Sequence, residues 1–165
     1  MIPAILSLAL VAAPKDATVT DLKDGFVRVE TKAYILEMPK DWSVTRETPW
    51  GARDMTPKEG EGKMGVMTAP PTQASWDELY RTSLYFITRE RKGKPTAYRL
   101  GKAPQGYETM SFEVLDKDGW ADRRYVILKK EDRILALNVN LASKKVEKAW
   151  MAHFQRMIDT AKIKD

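Results

Sequence analysis

The chain has 165 residues, with 28 Lys and Arg against 23 Asp and Glu, a net charge of +5 and 43% hydrophobic residues. That length and balance fit one globular domain with enough chain to bury a core, and they exclude collagen-like and disordered classes. The absence of Cys and the presence of a single His exclude a disulfide framework, thiolate chemistry and two-His metal motifs.

Residues 2–13 (IPAILSLALVAA) are uncharged and mostly apolar. The run is shorter than the ~20 residues that span a bilayer as a helix. It has the length of the apolar region of a secretory signal, and Val11-Ala12-Ala13 puts small residues at its end. A first strand packed on the domain is the rival reading. The signal reading divides the chain into a signal peptide over 1–14, a linker over 15–25 and one domain over 26–163. On that reading the segment up to Ala13 contributes nothing to the stability of the fold.

Phe26-Val27-Arg28-Val29-Glu30 and residues 33–38 read as strands, with Tyr34, Leu36 and Met38 on one face. Pro39 closes the second strand, because it lacks a donor and fixes φ. Residues 43–46 and 50–55 pattern as a hairpin, 56–63 as a loop, and 65–69 as a strand stopped by Pro70-Pro71. Ser75-Trp76-Asp77-Glu78 is a capping box, and Trp76, Leu79, Tyr80, Ser83, Leu84 and Ile87 then form one helical stripe. The spacing predicts a helix over 75–92. A short strand at 98–100 precedes a meander of strands over 107–115, 120–128 and 134–141. Gly119 supplies the positive φ of the first turn. Ser143 is placed to cap a closing helix over 144–162, whose stripe runs through Val146, Ala149, Trp150, His153, Phe154, Met157, Ile158 and Ala161. The sum is an α+β fold: one antiparallel sheet with both helices packed on its faces.

Motifs that could carry chemistry are few. His153 lies on the apolar stripe, with Ala149 and Met157 one turn away, and reads as a core or margin residue. Gly60-Glu61-Gly62-Lys63 lacks the spacing of a phosphate loop, and Asp116-Lys117-Asp118-Gly119 has its Gly two positions early for a calcium loop. Arg123 and Arg124 are adjacent on a strand and point to opposite faces. No catalytic, cofactor or metal residue can be named. Trp50 lies between Pro49 and Gly51. With Arg46 and Arg53 it gathers the residue types that dominate interface energetics. Arg46, Trp50 and Arg53 are therefore the candidate partner-binding residues, with Trp50 folded back on the sheet as the alternative.

The strand at 34–38 followed by Pro39-Lys40-Asp41-Trp42 resembles the PsbP-like superfamily. So does the order of the capped helix after Pro70-Pro71, the meander and the closing helix. The resemblance covers residues 26–163 and implies an α/β/α arrangement of helices about an antiparallel sheet. It also implies a role in binding or assembly without catalysis, as in PsbP, a Ran-binding nuclear import factor and many bacterial exported proteins. None of the family's binding surfaces has a motif here, and metal ligation by His and carboxylates needs more than one His. The expected protein is thus an exported, non-catalytic, monomeric domain, periplasmic or extracellular in a bacterium, acting on a protein or envelope partner with no cofactor. The alternative is a small-ligand or carbohydrate binder with an aromatic pocket around Trp50. Charges interleave, as in Arg89-Glu90-Arg91, so no specific nucleic acid and only weak attraction to anionic lipid are expected.

Overall fold

The computed structural model describes residues 16–49, 51–58, 61–90 and 93–165. Among these residues, twelve strands and two helices follow in order. The first three strands are β1 (Thr18–Asp21), β2 (Phe26–Glu30) and β3 (Tyr34–Pro39); β4 (Trp42–Val44), β5 (Ala52–Pro57) and β6 (Gly62–Thr68) come next. Helix α1 (Trp76–Glu90) leads to β7 (Lys94–Pro95), β8 (Arg99–Lys102), β9 (Glu108–Leu115), β10 (Ala121–Lys130) and β11 (Arg133–Leu141). Helix α2 (Glu147–Thr160) and β12 (Lys162–Ile163) close the chain.

The expected single sheet is two. A small antiparallel sheet has the order β1-β2-β3-β12, and a large one runs β4-β5-β6-β11-β10-β9-β7, with β8 also pairing β9. The break falls at Pro39, where β3 ends and Trp42 starts a strand in the other sheet. The stretch expected to be a linker carries β1, which pairs with β2 from Thr18↔Glu30 to Asp21↔Val27. The proposed signal lies outside the described residues.

Period-two alternation gives the large sheet two apolar faces. On one face Met64, Val66, Leu128, Leu135, Leu137 and Val139 pack with Leu36 and Met38 of the small sheet and with Trp150, Phe154 and Met157 of α2. On the other, Leu79 of α1 packs on Met110, Phe112, Ile127 and Ile134, with Trp76, Tyr80, Leu84 and Ile87 at the margin. Each helix therefore covers its own side of the large sheet, and Tyr125 stacks on Phe112 at 5.0 Å under α1.

The helix ends differ in how well local sequence specifies them. The capping box forms: Glu78 accepts from Ser75 N at 2.8 Å, and Glu78 N donates to Ser75 Oγ at 3.3 Å. Ser143 does not cap α2. The chain first makes a turn through Lys144, and Val146 holds the N-cap position without a side-chain bond. The C-terminus of α2 is satisfied from a distance. Gln105, in the β8–β9 connection, places Nε2 2.8 Å from Ile158 O and 3.0 Å from Ala161 O. These carbonyls have no partner within the helix. Gln105→Ala should cost about 1–2 kcal/mol in chemical denaturation, the worth of a bond that leaves acceptors unpaired; an unchanged midpoint would mean that water caps α2 equally well.

Candidate functional site

The loop between β4 and β5 held the expected partner-binding residues. Arg46 is exposed there, and Trp50 lies outside the described residues. Arg53 is not a surface residue. The alternation that buries Met55 also turns Arg53 inward, and its side chain is 0% exposed. Its Nη2 donates to Asp16 Oδ2 at 2.6 Å and to Glu47 Oε2 at 2.9 Å, and its Nη1 donates to Asp16 Oδ1 at 3.2 Å and Thr45 O at 3.1 Å. The bond from Arg53 holds the Asp16 carboxyl below the usual range, and burial pushes the nearby Tyr34 hydroxyl up. Arg53 thus ties the N-terminal segment and the loop to the core, and the structure removes it from the set that a partner could touch.

The strand register leaves part of α1's side of the large sheet polar. Asp54 and Asn138 both stand opposite Gly65, where a Cβ would meet Asn138 Oδ1 at 2.3 Å. Lys63 Nζ bonds Asp54 at 2.8 Å, and the Ser43 and Thr56 hydroxyls lie 3.0 Å apart. A depression of about 300 Å³ opens here, lined by Thr56, Glu61, Lys63, Asn140 and Ala142. Asn140 Oδ1 is buried without a partner. The Trp150 ring lies against Gly62 at the depression's edge, so close that a Cβ there would meet it at 2.8 Å.

The third feature is the solvent side of α1. Tyr85 and Phe86 fall nine and ten positions after Trp76, off the stripe that faces the sheet. They are 52% and 60% exposed and meet edge to face at 5.5 Å. Leu100, 59% exposed, stands opposite Met110 across the β8–β9 pair, and so on the α1 side of the sheet. Tyr98 ties this strand region to α1 through a 2.6 Å bond to Asp77, and Tyr80 does so through a 2.5 Å bond to Thr96 O. None of Tyr85, Phe86 or Leu100 was singled out from sequence. The available signal was two adjacent aromatics on the polar side of a helical wheel.

His153 edges Phe26 at 5.6 Å and Trp42 at 6.3 Å, and burial lowers its pKa against the opposing pull of Asp41. A depressed histidine binds fewer protons folded than unfolded, so stability should fall as the pH drops from ~6.5 through the lower folded value. Thermal melts of the wild type and His153→Phe between neutral pH and about pH 5 should diverge in slope; parallel curves would place the imidazole in water. Among the described residues, no group of three or more His, Asp or Glu could hold a metal ion. No helix among them is long and apolar enough to cross a membrane.

No family model matches the chain, and no curated protein matches it. Among solved structures it is similar to the solution structure of cyanobacterial PsbP (CyanoP) from Synechocystis sp. PCC 6803. The TM-score is 0.57 at 13% identity, over 93% of this chain and 95% of that one. At that identity the likeness is one of fold, and the chain has the PsbP-like α+β fold that its element order suggested.

Proposed function

We propose that this PsbP-like chain is an exported, non-catalytic binding or assembly domain that engages a component of the cell envelope through the solvent side of α1. The observation that carries the reading is the Tyr85–Phe86 pair, two large rings left exposed on a helix whose other side already supplies the packing. Exposed aromatics of this kind supply contact area at low entropic cost and concentrate binding energy. The apolar run at 2–13 supports export, and the packing of His153 between the rings of Phe26 and Trp42 supports a role without catalysis.

Two measurements test this. Residues 1–25 fused to a reporter active only outside the cytosol should give activity, and the whole chain should fractionate with the periplasm or medium. A photo-crosslinking side chain in place of Phe86 should give adducts in the native host that the same group at the exposed Lys117 turn does not. Retention inside the cell, or identical adducts from both positions, overturns the proposal.

The depression beside Asn140 favours a second reading, a small polar ligand held by amide and charged groups. A hydroxyl-rich ligand could donate to the orphan Asn140 Oδ1. Trp150, packed against the lining residue Gly62, provides the readout. Sugars that change tryptophan emission in the wild type and not in Asn140→Ala would support this reading, and a flat response across a sugar panel would end it.

A further inference from the structure

The net charge is unevenly placed along the chain. Residues 81–102 contain seven Lys or Arg and one acid, Glu90, a local charge of +6 in a chain whose total is +5. The rest of the molecule is therefore at −1, close to neutral. This segment runs from the middle of α1 through β7 to β8, both edge strands beside β9. Adjacent alternation such as Arg89-Glu90-Arg91 hides the excess, because Glu90 is the segment's only acid.

Ion pairs among the described residues involve some of the molecule's cations and not others; Lys32, Arg46, Lys117 and Lys148 join none. Arg28, Lys40, Arg53, Lys63, Arg124, Arg156 and others elsewhere are paired with carboxylates. Arg81, Lys94, Arg99 and Lys102 are exposed, and none of them joins an ion pair among the described residues. The register puts Lys102, opposite Glu108, on the same side of the sheet as Leu100 and α1, while Lys94 and Arg99, opposite Leu115 and Ser111, turn to the other face of the same sheet edge. Leu100 shares that edge, and Tyr85 and Phe86 are exposed on α1, which packs on the Leu100 side.

We infer that this edge of the molecule docks on an anionic lipid surface, with Arg81, Lys94, Arg99 and Lys102 over the headgroups and Phe86, Tyr85 and Leu100 entering the interfacial layer. The inference rests on the envelope-binding reading and names the partner at the same site. Charge complementarity selects the occupant. A segment of net charge +6, in which Arg81, Lys94, Arg99 and Lys102 join no ion pair among the described residues, is attracted to an anionic layer, and aromatic and aliphatic side chains beside cations suit the boundary between headgroups and acyl chains. A single-stranded nucleic acid could use the cations and stack bases on Tyr85 and Phe86, but it offers no apolar layer for the aliphatic Leu100, so the lipid surface is the better match. The expectation of weak lipid attraction came from alternation along the sequence; this inference departs from it on the exposure of these cations beside exposed aromatic side chains.

Flotation of the chain with lipid vesicles tests the inference. Binding is expected to phosphatidylcholine–phosphatidylglycerol vesicles and not to phosphatidylcholine alone, and added salt should weaken it. Combining Lys94→Gln, Arg99→Gln and Lys102→Gln should reduce affinity on the order of a hundredfold, at about fivefold per cation near the surface. Phe86→Ser with Leu100→Ser should reduce binding with the charges intact, and circular dichroism should confirm that both variants fold. Equal binding to neutral vesicles, no response to either variant, or RNA binding tighter than vesicle binding and indifferent to Phe86→Ser would overturn it. If the crosslinker at Phe86 traps an envelope protein and vesicles do not bind, the lipid inference falls and the envelope-binding reading stands. If the chain stays in the cytosol, that reading itself fails.

Discussion

Trp150→Ala should lower the stability of the domain by roughly 3–5 kcal/mol, the range for removing a buried large aromatic. Trp150 is buried at the junction of α2 with both sheets. Its ring sits 4.6 Å from that of Trp42, and Gly62 of the large sheet lies against it. The cavity left behind cannot collapse easily, because two strands and a helix would have to move together. Total stabilities of such domains are on the order of 5–15 kcal/mol, so the variant should melt many degrees lower and be prone to aggregation. Urea denaturation followed by Trp emission measures this. A loss below about 0.5 kcal/mol, the range of surface substitutions, would show that the ring is not packed. Gly62 provides an independent check on the same contact. It has φ +105° with the ring against its Cα, so Gly62→Ala should also destabilise, through strain and overlap instead of a cavity.

Arg53→Ala should cost about 3 kcal/mol, near the lower end for breaking a buried ion pair by removing one partner. The lower end applies because Asp16 and Glu47 are 39% and 37% exposed and can rehydrate once the guanidinium is gone. Arg53→Met, which keeps most of the volume, should cost clearly less. The acid limb of the stability curve distinguishes this from simple packing. The Asp16 carboxyl is held low by its bond from Arg53, so its contribution is present above about pH 4, the unfolded value, and is lost as pH falls through the lower folded one. In Arg53→Met that contribution is absent and stability should decline less steeply with acid. Glu147, held low first by Arg124, keeps its own share in both proteins. Equal acid slopes would mean that the Asp16–Arg53 bond does not form in solution.

Arg53 also shows where reading along the chain stops. Its position between Ala52 and Asp54 marks it as a strand residue, but alternation alone does not say which face is the core. Exposure was the default for a charged side chain, since an Arg is rarely fully buried unless it is paired. Its partner Asp16 is 37 positions away, in a stretch without any hydrophobic pattern. The missed strand β1 has a different cause: it is mostly exposed, carries no apolar alternation and is held by backbone pairing to β2 six to twelve positions on. The cap of α2 by Gln105 was equally out of reach, because it joins groups 53 to 56 positions apart.

What the residues determined unaided is local and periodic. The capping box at Ser75, the apolar stripes of both helices, the alternation of β9 to β11, and Gly119 with its φ of 79° all follow from contacts within a few residues. Together with the Pro39–Trp42 step, they sufficed to suggest a PsbP-like α+β fold. Tertiary structure alone decided that the strands divide between two sheets, that Arg53 is interior, and that Arg81, Lys94, Arg99 and Lys102 join no ion pair among the described residues while Phe86 and Leu100 stay exposed. The physical reason is that hydrogen-bond periodicity is a property of neighbours along the chain. Burial and charge pairing depend on which distant segments arrive, and their free energy is gained only after the long loops between them have closed.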